Sequence, residues 1–346
     1  MKIIITGGAG FIGSNAASRY LRQGAEVVVV DNLSREGVQR NLDWLQGQGN
    51  LEVVRLDIRD AGKLDALFQQ HSDADRVLHL AAQVAVTTSV TSPREDFEIN
   101  ALGTFNVLEA MRHARMTAPI LYSSTNKVYG EMTDVGVVEQ NGRYAYRSLP
   151  TGVSESRNLD FHSPYGCSKG AADQYVIDYH RIYGLHTIVF RQSCIYGYRQ
   201  FGAEDQGWVA WFMIASQVDR PITLYGDGKQ VRDILFIDDL LDAYDAAFAA
   251  GSKTAGQAYN VGGGPSNVLS LLELLAYIDK RQNRKLPYRS SDWRPGDQKV
   301  FVSDIHRVQA ELGWTPKTDC QRGLGLLYDW ICDNKFLFVE PAPANA

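Results

Sequence analysis

A phenol and an ammonium stand four positions apart in SPYGCSKGAADQY, as Tyr165 and Lys169. Ala171, Ala172, Asp173 and Gln174 follow in a helix-compatible run, so both side chains are expected on one face of a helix. A cation beside a phenol lowers its pKa and lets the phenolate take a proton from an alcohol. About forty residues upstream, Thr125 follows an apolar run in STNKVYG and offers a hydroxyl to the same reacting oxygen. The three groups are the parts of a proton relay for oxidising an alcohol. Such a relay requires a hydride acceptor beside it.

The N-terminus shows where that acceptor binds. Residues 3 to 5 are a β-branched run ending in TGGAGFIG, with Gly7, Gly10 and Gly13 at three-residue spacing around Phe11 and Ile12. A helix is expected over SNAASRYLRQG, then a second apolar run, EVVVVDN, closing at Asp31 and Asn32. Strand, glycine turn, helix, strand and terminal acid form the first unit of a doubly wound dinucleotide-binding sheet. The glycines let the backbone approach a pyrophosphate at the helix N-terminus. Asp31, eighteen residues past Gly13, is placed to accept from a ribose diol and would repel a 2′-phosphate, which predicts NAD over NADP.

The runs LEVVRLDI, RVLHLAA, PILYSS and HTIVF alternate with helical stretches, as a buried parallel sheet requires. Asp57 and Ile58 end one run and are expected near the adenine; Ala81, Ala82 and Gln83 end another, near the pyrophosphate and ribose. The fold class is α/β: a doubly wound parallel sheet, or Rossmann fold, with a smaller, interleaved C-terminal substrate lobe. Residues 1–192 with 231–261 are assigned to the first lobe, 193–230 with 262–346 to the second. QVRDILFIDDLLDAYDAAFA and AYNVGG are read as a return to the main sheet. Residues 131–162, polar and interrupted by Gly and Pro, are expected to pass over the mouth of the site.

With 346 residues, 45% of them hydrophobic, the chain can bury a sizeable core, and its length favours two lobes. The net charge of -5 gives no reason to expect nucleic acid or an anionic membrane as the main partner. An anionic substrate must therefore meet local arginines. Cys167, Cys194, Cys320 and Cys332 are scattered with no C-x-x-C pair, which indicates neither a metal site nor a disulfide framework and suits the cytoplasm. No charged leader or membrane-length apolar run is found, so a soluble, unprocessed protein is expected.

With TGGAGFIG, STNKVYG, SPYGCSK and RDILFIDD in this order, nearly the whole chain resembles the extended short-chain dehydrogenase/reductase family of nucleotide-sugar epimerases and dehydratases. The resemblance implies a catalytic set of Thr125, Tyr165 and Lys169, with Asn100 steadying the helix under the cofactor site. It implies substrate contacts from Ser124, Thr125, Asn126, Tyr165, Arg199, Gln200, Arg232 and Arg294, with Arg232 and Arg294 on a diphosphate. STNKVYG, YGYRQFGAEDQGW and GDGKQVRD are most similar to the branch that inverts carbon 2 of CDP-sugars by transient oxidation to a 2-keto sugar. A UDP-sugar 4-epimerase uses the same relay, and a non-catalytic NAD-binding protein could share the fold. Dehydratases carry an Asp–Glu pair where this chain has Asn126 and Lys127, and neither replacement can do that acid and base work. The family also commonly has Asn at Cys194 and His at Phe236. A homodimer or homotetramer, formed through helices beside the Tyr165 helix, is implied.

Overall fold

A computed structural model describes residues 1–339 except 36 and 295. Seven strands make the central sheet: β1 Lys2–Thr6, β2 Glu26–Asp31, β3 Leu51–Arg55, β4 Arg76–His79, β5 Ile120–Thr125, β6 Thr187–Gln192 and β7 Gln257–Val261. They lie in the order β7-β6-β5-β4-β1-β2-β3, all parallel, with Ile3 opposite Val27 and Ser124 opposite Arg191. The sheet is doubly wound, as the alternation of apolar runs and helices predicts.

Successive strand residues face opposite layers. Ile3, Ile5, Val27, Val29, Leu121 and Phe190 pack on one side with Ala16, Ala17 and Tyr20 of the helix Phe11–Arg22 and with Leu240 and Tyr244 of the helix Ile237–Ala249. Ile4, Val28, Val30, Val77, Ile120 and Val189 pack on the other with helices Ala61–Gln70, Gly103–His113 and Ser163–Tyr183. Burial on both faces is why these strands read as continuous apolar runs rather than as alternation.

The second lobe is built on a smaller sheet in which Val231–Phe236 pairs with Cys194–Tyr196, Val268–Ser270 and Val300–Phe301. This corrects one expectation. The chain returns to the main sheet only at Gln257–Val261; Val231–Phe236 stays in the second lobe. A single apolar core nonetheless continues from the first lobe into Phe212, Met213, Leu324 and Ile331 of the second.

Residues 131–162 are also not what their composition predicts. They fold a hairpin, Val137–Gln140 with Arg143–Tyr146, that docks on the second lobe: Tyr146 donates to the Val300 carbonyl at 3.0 Å, and the Val153 amide to that of Val302 at 2.8 Å. None of them lines the main cleft. Among the described residues no helix is long and apolar enough to cross a membrane.

Candidate active site

The C-terminal ends of β1, β2, β4, β5 and β6 open into a cleft of about 530 Å³ between the lobes, the position where open α/β sheets bind ligands. Its floor is the glycine turn. Gly7 has φ +69°, and a Cβ there would lie 2.7 Å from the Ala81 amide nitrogen. At Gly13 a Cβ would lie 2.2 Å from the Gly7 carbonyl oxygen and 2.7 Å from Gly8 Cα. Because those neighbours are backbone, Gly13→Ala must displace the turn. Overpacking of this kind costs about 1–3 kcal/mol, expected as lost stability, lost dinucleotide affinity or both, and read by thermal unfolding and by dinucleotide titration.

Asp31 ends β2 with its carboxylate held by the Ala9 amide at 3.0 Å and the Leu33 amide at 2.9 Å. Burial raises its pKa and the two amides oppose that rise. Asp57 is held by Asn32 at 2.9 Å and by Arg59, whose hydrogen bonds keep its carboxyl well below the usual range. With Phe11, Ile12, Ile58, Ala81, Ala82 and Gln83 these residues line one end of the cleft. Bare backbone at a helix N-terminus and a positioned carboxylate at the neighbouring strand end fit a dinucleotide with an unsubstituted ribose diol.

At the other end, Thr125, Tyr165 and Lys169 converge on the same cleft. The helix Ser163–Tyr183 enters through Pro164 and ends on Gly184 at φ +73°, the starts and stops expected of a long helix. It is tied to β5 twice. Lys169 Nζ donates to the Ser123 carbonyl at 2.6 Å, and Ser124 Oγ donates to Asp173 at 2.7 Å. Asp173, fully buried, is gripped by Arg191 through two nitrogens at 2.9 and 3.0 Å, and Arg191 also donates to Tyr129 at 3.2 Å.

Burial pushes Tyr165 up to about 12, and the relief comes from the Thr125 hydroxyl rather than from Lys169. Burial pushes Lys169 down to about 7, with Asp173 and Asp96 opposing. A buried phenol and a buried amine each favour the neutral form. The groups that move the phenol are its burial, the Thr125 hydroxyl and Asp96.

Several expected contacts are placed elsewhere. Asn100 lies on a π-helical turn, Glu98–Leu102, and does not line the cleft. It brackets Gln83 by accepting from its amide at 2.9 Å and donating to its carbonyl at 3.0 Å, and it reaches Ser168 at 3.2 Å. It thereby fixes the backbone of Gln83, which lines the cleft. Ser124 lines the cleft, but its hydroxyl is committed to Asp173. Gln200 and Asn126 line the cleft; Arg199 does not. The Arg199 guanidinium stacks 4.3 Å from the Trp44 ring centre, in a separate recess with Trp330. Its aromatic partners lie far away in sequence, which is why the motif alone misplaced it.

Arg232 and Arg294, expected on the substrate, do not line the cleft. Arg232 pairs with Asp297 at 2.6 Å, and Arg294 lies 3.8 Å over Tyr225 and donates to the Glu204 carbonyl at 3.0 Å.

The sequence reading missed Arg35, Gln192, Ser193 and the turn Asp205–Gln206–Gly207, all of which line the cleft. Gln192 and Ser193 sit at the end of β6, so strand-end position was a usable signal; the other residues carried none. Cys194 also lines the cleft and accepts from Trp208 Nε1 at 3.0 Å, whereas Phe236 is packed between Tyr196 and Tyr198.

A sequence model of the family described as GDP-mannose 4,6 dehydratase matches residues 4–326. The chain belongs to that family, within the extended short-chain dehydrogenase/reductases. Among its relatives, a CDP-paratose 2-epimerase of Salmonella typhi is 48% identical over 335 residues, covering 95% of this chain and 99% of that one. Among solved structures, the dTDP-glucose 4,6-dehydratase of Streptomyces venezuelae with NAD and TYD bound superposes with a TM-score of 0.83 at 28% identity, covering 97% of this chain and 98% of that one. The UDP-glucose 4-epimerase of Thermotoga maritima with UDP-glucose gives 0.82 at 29% identity, over 96% and 99%.

Directly after Thr125 the chain carries Asn126 and Lys127. Asn126 here accepts from the Thr125 hydroxyl at 3.3 Å. Lys127 turns to the Gly296 carbonyl at 3.1 Å and is absent from the cleft wall.

Proposed function

We propose that the protein inverts carbon 2 of a CDP-linked sugar, in the manner of CDP-paratose becoming CDP-tyvelose, using tightly held NAD. The observation that carries this reading is the relay of Thr125, Tyr165 and Lys169 gathered beside the glycine cradle in a chain related end to end to a CDP-paratose 2-epimerase. Gly7, Gly10, Gly13 and Asp31 would hold the NAD. Bound NAD supplies a hydride acceptor and, in its oxidised form, the positive charge that favours a phenolate over a phenol.

Carbon 2 of a sugar has no adjacent carbonyl, so direct loss of its hydrogen is energetically remote. Oxidation avoids that barrier. Tyr165 takes the proton of the 2-hydroxyl, Thr125 hydrogen-bonds the reacting oxygen, and Lys169, anchored on Ser123, keeps its remaining hydrogens for the relay. The 2-keto sugar then presents its other face without leaving, and Tyr165 returns the proton. No net redox change results.

Incubation with CDP-paratose, CDP-glucose and UDP-glucose in deuterated water, followed by NMR, tests this. Inversion at carbon 2 of a CDP-sugar, with no solvent deuterium at that carbon and no added cofactor, is expected. Inversion at carbon 4, or deuterium at carbon 2, sinks the reading.

A homodimer or homotetramer is supported by exposed Phe97, Leu102, Phe105, Tyr175, Ile182 and Tyr183, an apolar cluster on and beside the helices Gly103–His113 and Ser163–Tyr183. A cytoplasmic location is supported by four unpaired cysteines.

A further inference from the structure

In the short helix Pro93–Phe97 the buried residue is a carboxylate, Asp96, which is wholly inaccessible. A carboxylate in such a place must be hydrogen-bonded or matched by a cation. Its oxygens accept from three separate parts of the chain: Gln83 Nε2 at 2.9 Å, Asn100 Nδ2 at 3.1 Å and Ser168 Oγ at 2.5 Å. Gln83 lines the cleft, and Ser168 stands between Tyr165 and Lys169 on the relay helix. Among the described residues no cation is in ion-pair contact with Asp96, and Arg191 is committed to Asp173 at 2.9 Å. The buried charges around the relay helix are therefore Lys169 and Arg191 of one sign, Asp173 and Asp96 of the other. With Arg191 and Asp173 matched to each other, Lys169 and Asp96 are left to balance at a distance, which a buried setting allows. The Lys169 ammonium lies 4.3 Å over the Tyr122 ring and is bound to the Ser123 carbonyl rather than to a carboxylate. The other titratable groups that face it are neutral: burial holds His79 on β4 down to about 3, and holds Tyr122 on β5 and Tyr165 up. Asp173 acts on Lys169 more strongly than Asp96 does, but only Asp96 acts on it without a guanidinium to match.

We propose that Asp96 is a positioning residue for the relay: fastened to Gln83, Asn100 and Ser168, its carboxylate is the fixed counter-charge that Lys169 lacks by contact. Asp96 does not line the cleft and acts through Lys169 and Tyr165. The proposal rests on the relay reading above. Removing a negative charge makes an ammonium less favoured and a phenolate more so, so both ionisations move to lower pH when Asp96 is neutralised.

The test titrates the full chain with NAD, carrying ¹³C at lysine Cε, by NMR, with Lys169→Gln identifying the signal. Asp96→Asn keeps the shape and can bond all three partners, donating to Ser168 instead of accepting from it, but removes the charge. In that variant the Lys169 ionisation is expected about one pH unit lower than in wild type, and both limbs of the pH–rate profile of inversion move the same way. Asp96→Ser, smaller and uncharged, is expected to repeat the shift. Ser168→Ala keeps the charge and cuts the tie to the relay helix, and is expected to leave the Lys169 ionisation in place. Thermal unfolding and NAD titration show which variants are folded. A Lys169 ionisation unmoved in the uncharged variants, or moved equally in Ser168→Ala, overturns the proposal. If the lysine moves as expected while wild type inverts no nucleotide sugar, the functional reading falls and the counter-charge stands.

Discussion

Tyr165→Phe is expected to lower turnover by about 10²–10⁴-fold, the usual weight of a positioned acid/base, while NAD and the nucleotide sugar still bind. The ring is buried at the head of its helix and lines the cleft beside Thr125 and Lys169. Phe keeps the ring packing and removes only the hydroxyl, so no cavity forms and the helix contacts survive. The loss is then specific to proton transfer. It appears in kcat, measured by the NMR rate of inversion, with calorimetric affinities close to those of wild type. A variant within tenfold of wild type would falsify the relay, because no other described residue places a phenol at that point.

Asp173→Asn destabilises the fold by about 3–5 kcal/mol, the cost of leaving a buried charge without its partner. Asp173 is wholly inaccessible and Arg191 nearly so, and the two share a bidentate contact. The carboxylate also accepts from Ser124, so the substitution loosens the junction between the Tyr165 helix and β5. Urea unfolding of the single variant and of Asp173→Asn with Arg191→Met separates two explanations. If the uncompensated guanidinium is the cause, removing it recovers much of the loss, since well-packed apolar replacements of buried pairs are often tolerated. A double variant as unstable as the single one would place the cost in lost packing instead. Because Asp173 also supports the charge of Lys169, the folded fraction is expected to show an altered pH dependence of turnover.

What the sequence determined alone was local. The β-branched runs, the glycine spacing of Gly7, Gly10 and Gly13, the acid at Asp31 and the four-residue interval from Tyr165 to Lys169 each report a backbone state or a shared face within one element. Those constraints hold wherever the element is placed. The glycine turn, the strand-end acid and the shared helix face of Tyr165 and Lys169 were therefore legible before any coordinates.

Tertiary structure alone decided which elements meet and which way long side chains turn. Val231–Phe236 reads as a return to the main sheet, and pairing with Cys194–Tyr196 puts it in the smaller sheet instead. Residues 131–162 read as a loop, and contacts with Val300 and Val302 dock them away from the cleft. Arg199 follows a motif, yet Trp44 and Trp330 draw it out of the site. Asn100 grips Gln83, and Ser124 is claimed by Asp173, through partners distant in the chain. A flexible polar side chain has many rotamers of similar energy, and the partner that selects one comes from another part of the fold.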